Sequence, residues 1–203
     1  MTSPQTTKPE LSPNPSAHPL APAAGGGAAG WEGRLFGALV LSAFVLYGVG
    51  SAFADQAVGL TLVMLNSVAV TVLGLVGFRL LRPENTRIGL GYLAARIAEA
   101  ILLAGGVVVA SGPTGSEADT TGYLLGMVAL GLGSVPFCLA LGSARWLPSF
   151  MARWGVLGYT LLAIGALTEL ATGRAVTVLF AIPGGLFEVA LGCHLVWRGF
   201  RRH

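Results

Sequence analysis

The chain has 203 residues, of which 54% are hydrophobic and only 10% are charged. This balance excludes an ordinary soluble domain and predicts an all-α protein that crosses a membrane several times. The formal net charge of +3 comes from basic residues scattered one to three at a time at the ends of apolar runs, so no nucleic-acid partner is expected.

The beginning of the chain differs from the rest. Residues 1–30 are rich in Pro, Ala, Ser, Thr and Gly and contain no Ile, Val or aromatic residue. A segment without such side chains cannot bury a core, so we expect a disordered cytoplasmic tail over residues 1–33. Residues 34–203 are then expected to form one transmembrane domain.

Six apolar segments follow, each long enough to cross about 30 Å of hydrocarbon at about 1.5 Å per helical residue. They cover residues 35–54, 57–81, 88–110, 121–142, 152–171 and 175–197. Pro83 is expected to end the second helix, with Asn85 or Thr86 capping the third. The short connections ADQA and TGRA predict tight antiparallel hairpins between the first two spans and between the last two.

The basic residues predict how these helices are oriented. Ten of them fall in the N-terminal flank, the second and fourth connections and the C-terminus, whereas Arg174 is the only one in a connection on the other side. Positively charged residues collect on the cytoplasmic side of membrane proteins. Both termini of this multi-pass protein are therefore expected to be cytoplasmic.

The third span carries an arginine and a glutamate among apolar residues. Tyr92, Arg96 and Glu99 follow at i, i+4 and i+7, which places them on one face of a helix. A charge at the centre of a membrane helix costs about 2.5 to 3.5 kcal/mol, so this face should point into the bundle. Asn66 in the second span and Glu188 in the sixth are expected at a similar depth.

One arginine and two glutamates leave an excess of one negative charge in this group, so either one glutamate is protonated or a cation joins them. Two interpretations stay open. In the first, a mid-membrane site binds or moves a small ligand or a proton. In the second, the charges are structural, and the protein is a membrane scaffold or a lipid-interacting partner protein, alone or in a homo- or hetero-oligomer. The predicted site consists of Asn66, Tyr92, Arg96, Glu99 and Glu188.

Several kinds of chemistry lack the residues that they need. Lys8 is the only lysine and lies in the tail, which excludes a Walker A loop and a buried Schiff-base lysine. His194 is the only histidine in an apolar run, so neither a zinc cluster of histidines nor a two-histidine haem site is expected in the membrane. We expect no metal and no cofactor. An enzyme with Glu99 or Glu188 as general base is the least favoured reading, because no activated nucleophile accompanies these carboxylates.

Longer motifs point to a family. The chain contains, in this order, LFGALVLSAFVLYGVGSAF, LNSVAV, LLRPENTRIGLGYLAARIAEAILL, RWLPSFMARWGVLGY and IPGGLFEVALGCHLVWRGF. Over residues 33–201 it resembles a bacterial integral-membrane family called domain of unknown function 4386, and YLAARIAE and PGGLFE are its most specific motifs. The resemblance implies a compact multi-span bundle in a bacterial plasma membrane. It implies no catalytic residues.

Overall fold

A computed structural model describes residues 26–110 and 116–200, which form five helices joined by short connections. The helices are α1 Gly26–Ala52, α2 Ala57–Ala110, α3 Ser116–Ser143, α4 Ser149–Thr172 and α5 Thr177–Arg198. No strand occurs in these two ranges. The predicted all-α class is therefore confirmed, and α3, α4 and α5 match the last three predicted spans to within a few residues at each end.

The prediction of six separate membrane helices is wrong at the second and third spans. Within residues 26–110 and 116–200, five helices are long and apolar enough to cross a membrane, and α2 alone, with 54 residues, covers both of these spans. The helix does not stop at Pro83 as expected. Within α2, the only residue that leaves helical geometry is Asn85 (φ −155°, ψ 94°). Helical hydrogen bonding resumes at once, because Asn85 Oδ1 accepts a hydrogen bond from the Ile88 backbone N–H (3.1 Å). The predicted capping by Asn85 is confirmed.

The two arms of α2, residues 57–84 and 86–110, fold back on each other at Asn85. Glycines show the contact: a Cβ atom added to Gly89 would lie 3.1 Å from Phe78 Cδ2, and one added to Gly74 would lie 2.8 Å from Arg96 Cβ. Residue numbers rise along one arm as they fall along the other, so the arms are antiparallel. α2 therefore consists of two helical arms that meet at the non-helical residue Asn85, and it has the shape of a hairpin.

The helices form a closed ring of neighbours. Each one packs against the next in chain order, and α5 packs against α1. Large apolar side chains on the outside stay exposed, among them Val178 (73%), Leu132 (66%) and Ile101 (64%). An apolar outer surface around a packed interior is what a bilayer requires of a helical bundle. These helices indicate a membrane-embedded protein.

The first helix begins earlier than the sequence predicts. α1 starts at Gly26, so residues 26–33 are helical although they fall in the predicted disordered tail of residues 1–33. Ala28 and Ala29 have the highest helix propensity and extend the helix at little cost. Contact with the end of α5 supports this start, because a Cβ added to Gly199 would lie 2.5 Å from the Gly30 carbonyl oxygen. The rest of the predicted tail, residues 1–25, lies outside the described residues.

A tight turn joins α4 to α5, as predicted. Gly173 ends α4 in the left-handed region (φ 68°), where glycine carries no steric penalty. The Glu169 carboxylate then accepts hydrogen bonds at Oε2 from the backbone N–H groups of Val176 (3.0 Å) and Thr177 (2.8 Å). These donors open α5 and have no partner within their own helix. We call this arrangement of Glu169, Val176 and Thr177 the Glu169 cap.

Candidate functional site

The polar stripe on the second arm of α2 faces the interior of the bundle. Tyr92, Arg96 and Glu99 are buried, with 1%, 4% and 4% of their surfaces exposed. The Arg96 guanidinium donates from Nη1 to Glu99 Oε2 (2.9 Å) and from Nε to Tyr92 Oη (3.0 Å). The inward orientation predicted from the i, i+4 and i+7 spacing is confirmed, and the guanidinium is held by both of its neighbours on the stripe.

Two other helices bring partners to this stripe. Arg96 Nη2 lies 3.7 Å from Glu188 Oε1 on α5, and the Tyr159 hydroxyl on α4 donates to the same oxygen at 2.6 Å. Arg96 therefore faces one carboxylate from its own helix and one from the last helix. We call Tyr92, Arg96, Glu99, Tyr159 and Glu188 the Arg96 cluster.

Close approach of the two α2 arms buries this cluster. A Cβ added to Gly77 would lie 2.5 Å from Tyr92 Cε1, so only glycine leaves room for the ring. On its other side the Tyr92 ring stacks on Phe137 of α3, with centroids 3.8 Å apart. The phenol that accepts the Arg96 Nε hydrogen bond is thus fixed by packing on two sides.

The crossing of α4 and α5 sets the other half of the cluster. A Cβ added to Gly158 would lie 2.7 Å from Gly184 Cα, so the two backbones nearly touch at these glycines. Beside this contact, Trp154 Nε1 donates a hydrogen bond to the Pro183 carbonyl oxygen (3.0 Å). Tyr159 follows Gly158 directly, and the crossing therefore holds its hydroxyl against the α5 carboxylate.

A cavity of about 220 Å³ lies beside the Arg96 cluster. All five helices contribute to its wall, and Arg96, Glu99, Tyr159 and Glu188 line it. The other lining residues are Val40, Ala43, Phe44, Tyr47, Gly48, Asn66, Val70, Leu73, Leu103, Tyr123, Met127, Leu130, Leu162, Ala181, Gly184 and Gly185. An engineered cavity of about 150 Å³ binds benzene, so this one has room for a small organic molecule.

Asn66, on the first arm of α2, lines the same cavity. Its side chain is buried (2% exposed), and its Oδ1 has no hydrogen-bond partner within the described part of the chain. Leaving a buried acceptor unpaired costs about 1 to 3 kcal/mol. A donor group on a molecule in the cavity would remove that cost.

The structure brings four of the five predicted residues to the cavity wall: Asn66, Arg96, Glu99 and Glu188. Tyr92 does not line the cavity and instead holds Arg96 from behind. The sequence reasoning missed Tyr159, although a tyrosine in the middle of an apolar span is itself a signal. Tyrosines usually lie at the membrane interface, where the hydroxyl is hydrated, so one at mid-depth requires a polar partner.

Helix bounds, apolar surface and buried charges together define the class: a helical membrane protein with a polar cluster and a cavity inside its bundle. Among the described residues, no group of three or more His, Cys, Asp or Glu could hold a metal ion. Residues 42–199 match the model of a family described as domain of unknown function (DUF4386). The chain belongs to this family, which confirms the resemblance seen in its motifs. No curated protein and no solved structure matches the chain.

Proposed function

We propose that this membrane protein binds a small ligand in the cavity beside the Arg96 cluster. The observation that carries the proposal is the unpaired Asn66 Oδ1 on a cavity wall that also holds three charged side chains. Buried polar groups are normally satisfied, and ionisable residues inside membranes most often serve a pathway or a binding site. Binding is also the step that any movement of a ligand or a proton through this site would require.

Thermal unfolding of the purified protein in lipid nanodiscs tests the proposal. The probes are benzylamine, benzoate and benzyl alcohol, which share one ring and differ in charge. At a free concentration ten times its Kd, a probe stabilises the fold by about 1.4 kcal/mol. We expect at least one of the three to raise the unfolding temperature.

A cavity-filling pair locates the effect. A Cβ added to Gly185 would meet only Phe44, at 3.7 Å, so Gly185→Leu adds a side chain at the cavity wall without a backbone clash. Gly105 has open space around an added Cβ and does not line the cavity, so Gly105→Leu is the matched control. Stabilisation should be lost in the first variant and kept in the second. If none of the probes stabilises the unmodified chain, the proposal fails.

We further propose that the chain crosses a bacterial plasma membrane six times, with both termini in the cytoplasm. Each arm of α2 is longer than the about 20 residues that one crossing needs, and the arms are antiparallel. The distribution of basic residues supports the same orientation. Cysteines introduced one at a time at Gly115 and Glu84 test it in intact bacteria with a membrane-impermeant maleimide, in a chain with Cys193→Ser, whose remaining Cys138 is buried and whose own labelling is the background control. Labelling at position 115 alone is expected, and labelling at position 84 would overturn this topology.

A structural role is the second candidate, because the Arg96 cluster joins α2, α4 and α5. In this reading the charges hold helices together in a membrane scaffold or a partner protein. Co-purification of the same second subunit from its native membrane, with no stabilisation by any probe, would favour it over ligand binding.

A further inference from the structure

The positive charge on the cavity wall is already neutralised. Arg96 donates hydrogen bonds to Glu99 (2.9 Å) and Tyr92 (3.0 Å), and its remaining nitrogen, Nη2, lies 3.7 Å from Glu188. Both sides of its guanidinium fork thus face carboxylates from this chain. An anionic ligand would have to displace one of them, and would then face the buried carboxylate of Glu99 and the partly buried carboxylate of Glu188 at close range.

The carboxylate of Glu188, unlike the Arg96 guanidinium, has fewer partners than it can bind. Its Oε1 accepts one hydrogen bond, from Tyr159, and lies beyond hydrogen-bond distance of Arg96. The side chain is 15% exposed, compared with 5% for Glu99, and it lines the cavity. One arginine and two glutamates are the charged residues that line the cavity within the described ranges. When all three are ionised, the cavity carries one excess negative charge, and Glu188 is the more accessible carboxylate.

The remaining polar and aromatic groups of the wall also favour a cation with hydrogen-bond donors. Asn66 Oδ1 is an acceptor that lacks a donor within the described residues. Tyr47 and Tyr123, stacked with centroids 5.8 Å apart, line the cavity together with Phe44. Aromatic faces attract organic cations, and most strongly where water is excluded.

We propose that the ligand of this cavity is a small protonated amine with an apolar body. Glu188 accepts a charge-assisted hydrogen bond from the ammonium group, Asn66 Oδ1 accepts from a second donor, and the aromatic and aliphatic wall packs on the body. This assignment rests on the proposed function, since it names the ligand class of the same cavity. It excludes anions, which Arg96 alone would otherwise recruit.

The ranking of the three probes on the unmodified protein decides the ligand class. Benzylamine, protonated at neutral pH, should bind at least about tenfold more tightly than benzyl alcohol, since one hydrogen bond to a charged group accounts for that ratio. Benzoate should bind more weakly than either. Equal binding of all three, or tightest binding of benzoate, would overturn the amine assignment while leaving a binding cavity in place. Binding of none would remove the proposed function and the amine assignment together.

Variants at two carboxylates sharpen the result. Glu188→Gln keeps an acceptor for Tyr159 and removes the charge, so it should weaken benzylamine binding at least about tenfold and weaken benzyl alcohol binding much less, which removes the preference for the amine. Glu169→Gln is the matched control, because Glu169 does not line the cavity, and it should change neither affinity. Glu188→Asp should restore part of the preference for benzylamine. If Glu188→Gln left that preference intact, Glu188 would not be the recognition group and the assignment would fail.

Discussion

The same two helices, α4 and α5, carry two glutamates that accept short hydrogen bonds across a helix interface. At the turn between them, Glu169 accepts two backbone N–H groups, at 3.0 and 2.8 Å. Deeper in the bundle, Glu188 accepts the Tyr159 hydroxyl at 2.6 Å and faces an arginine of a third segment at 3.7 Å. The partners differ: the first carboxylate has backbone donors and the second has side chains.

The role of Glu169 as a helix cap accounts for its presence, whereas no such structural role accounts for Glu188. Helix starts leave backbone N–H groups unpaired, so the Glu169 cap does what any acceptor at that place would do. Glu188 lies beside a cavity, and Arg96, the cation that it faces, also forms an ion pair with Glu99. An uncharged side chain of similar shape would have made the bundle easier to insert into a membrane. The Arg96 cluster is therefore the better candidate for function.

The largest effect is expected from Arg96→Met, which leaves Glu99 buried without its cation. Removing one partner of a buried ion pair costs about 3 to 5 kcal/mol. Arg79→Met is the control on the same helix, because Arg79 is 66% exposed, lies 3.7 Å from Glu32 and contributes less than about 1 kcal/mol. Unfolding in mixed detergent micelles, followed by tryptophan fluorescence, gives both values. If both variants lost the same free energy of unfolding, the buried ion pair of Arg96 would contribute no more to stability than the exposed pair of Arg79.

Tyr159→Phe should have the next largest effect, because it removes the donor to Glu188 and keeps the ring. A hydrogen bond to a charged group contributes about 1.5 to 3 kcal/mol. Thr160→Val, at the next residue, removes a hydroxyl that only bonds back to the Val156 carbonyl on the exposed face, and should change the same unfolding free energy by a few tenths of a kcal/mol. A loss at Tyr159 no larger than that at Thr160 would contradict the cross-helix bond.

The sequence predicted which face of one helix carries the site, and it placed Asn66 and Glu188 at a similar depth on two other spans. The spacing of Tyr92, Arg96 and Glu99 fixes a face, and the cost of buried charge turns that face inward. Neither argument gives the register between helices, so the pairing of Tyr159 with Glu188, 29 residues apart, was out of reach.

The number of helices was missed for a similar reason. Apolar length predicts how many segments can cross a membrane, but it does not show that the second and third of them meet at one non-helical residue, Asn85, with no loop between them. The cavity could not be predicted at all, because its wall combines side chains from every helix. Its shape depends on how the helices pack against one another, and the spacing of residues within one helix does not determine that packing.

Gly158→Ala tests whether the α4–α5 crossing holds the cluster in place. The added Cβ would lie 2.7 Å from Gly184 Cα and 2.9 Å from its backbone nitrogen, and atoms this close must separate. Overpacking of this kind costs about 1 to 3 kcal/mol. Gly105→Ala, with open space around the new carbon, should be neutral or slightly stabilising in the same unfolding measurement. An equally small change at Gly158 would show that the helices need not touch there.

The smallest effect is expected from substitutions of Glu169, which test whether this glutamate, unlike Glu188, acts as a hydrogen-bond acceptor without need of its charge. Glu169→Ala should cost about 1 kcal/mol, as for other lost helix caps, because two backbone donors of α5 lose their acceptor. Glu169→Gln should cost only a few tenths of a kcal/mol, since its amide oxygen can accept the same bonds. The same exchange at Glu188 removes a charge that faces Arg96. If Gln at position 169 were as costly as Ala, the charge itself would matter at the turn, and the cap would need the same explanation as the Arg96 cluster.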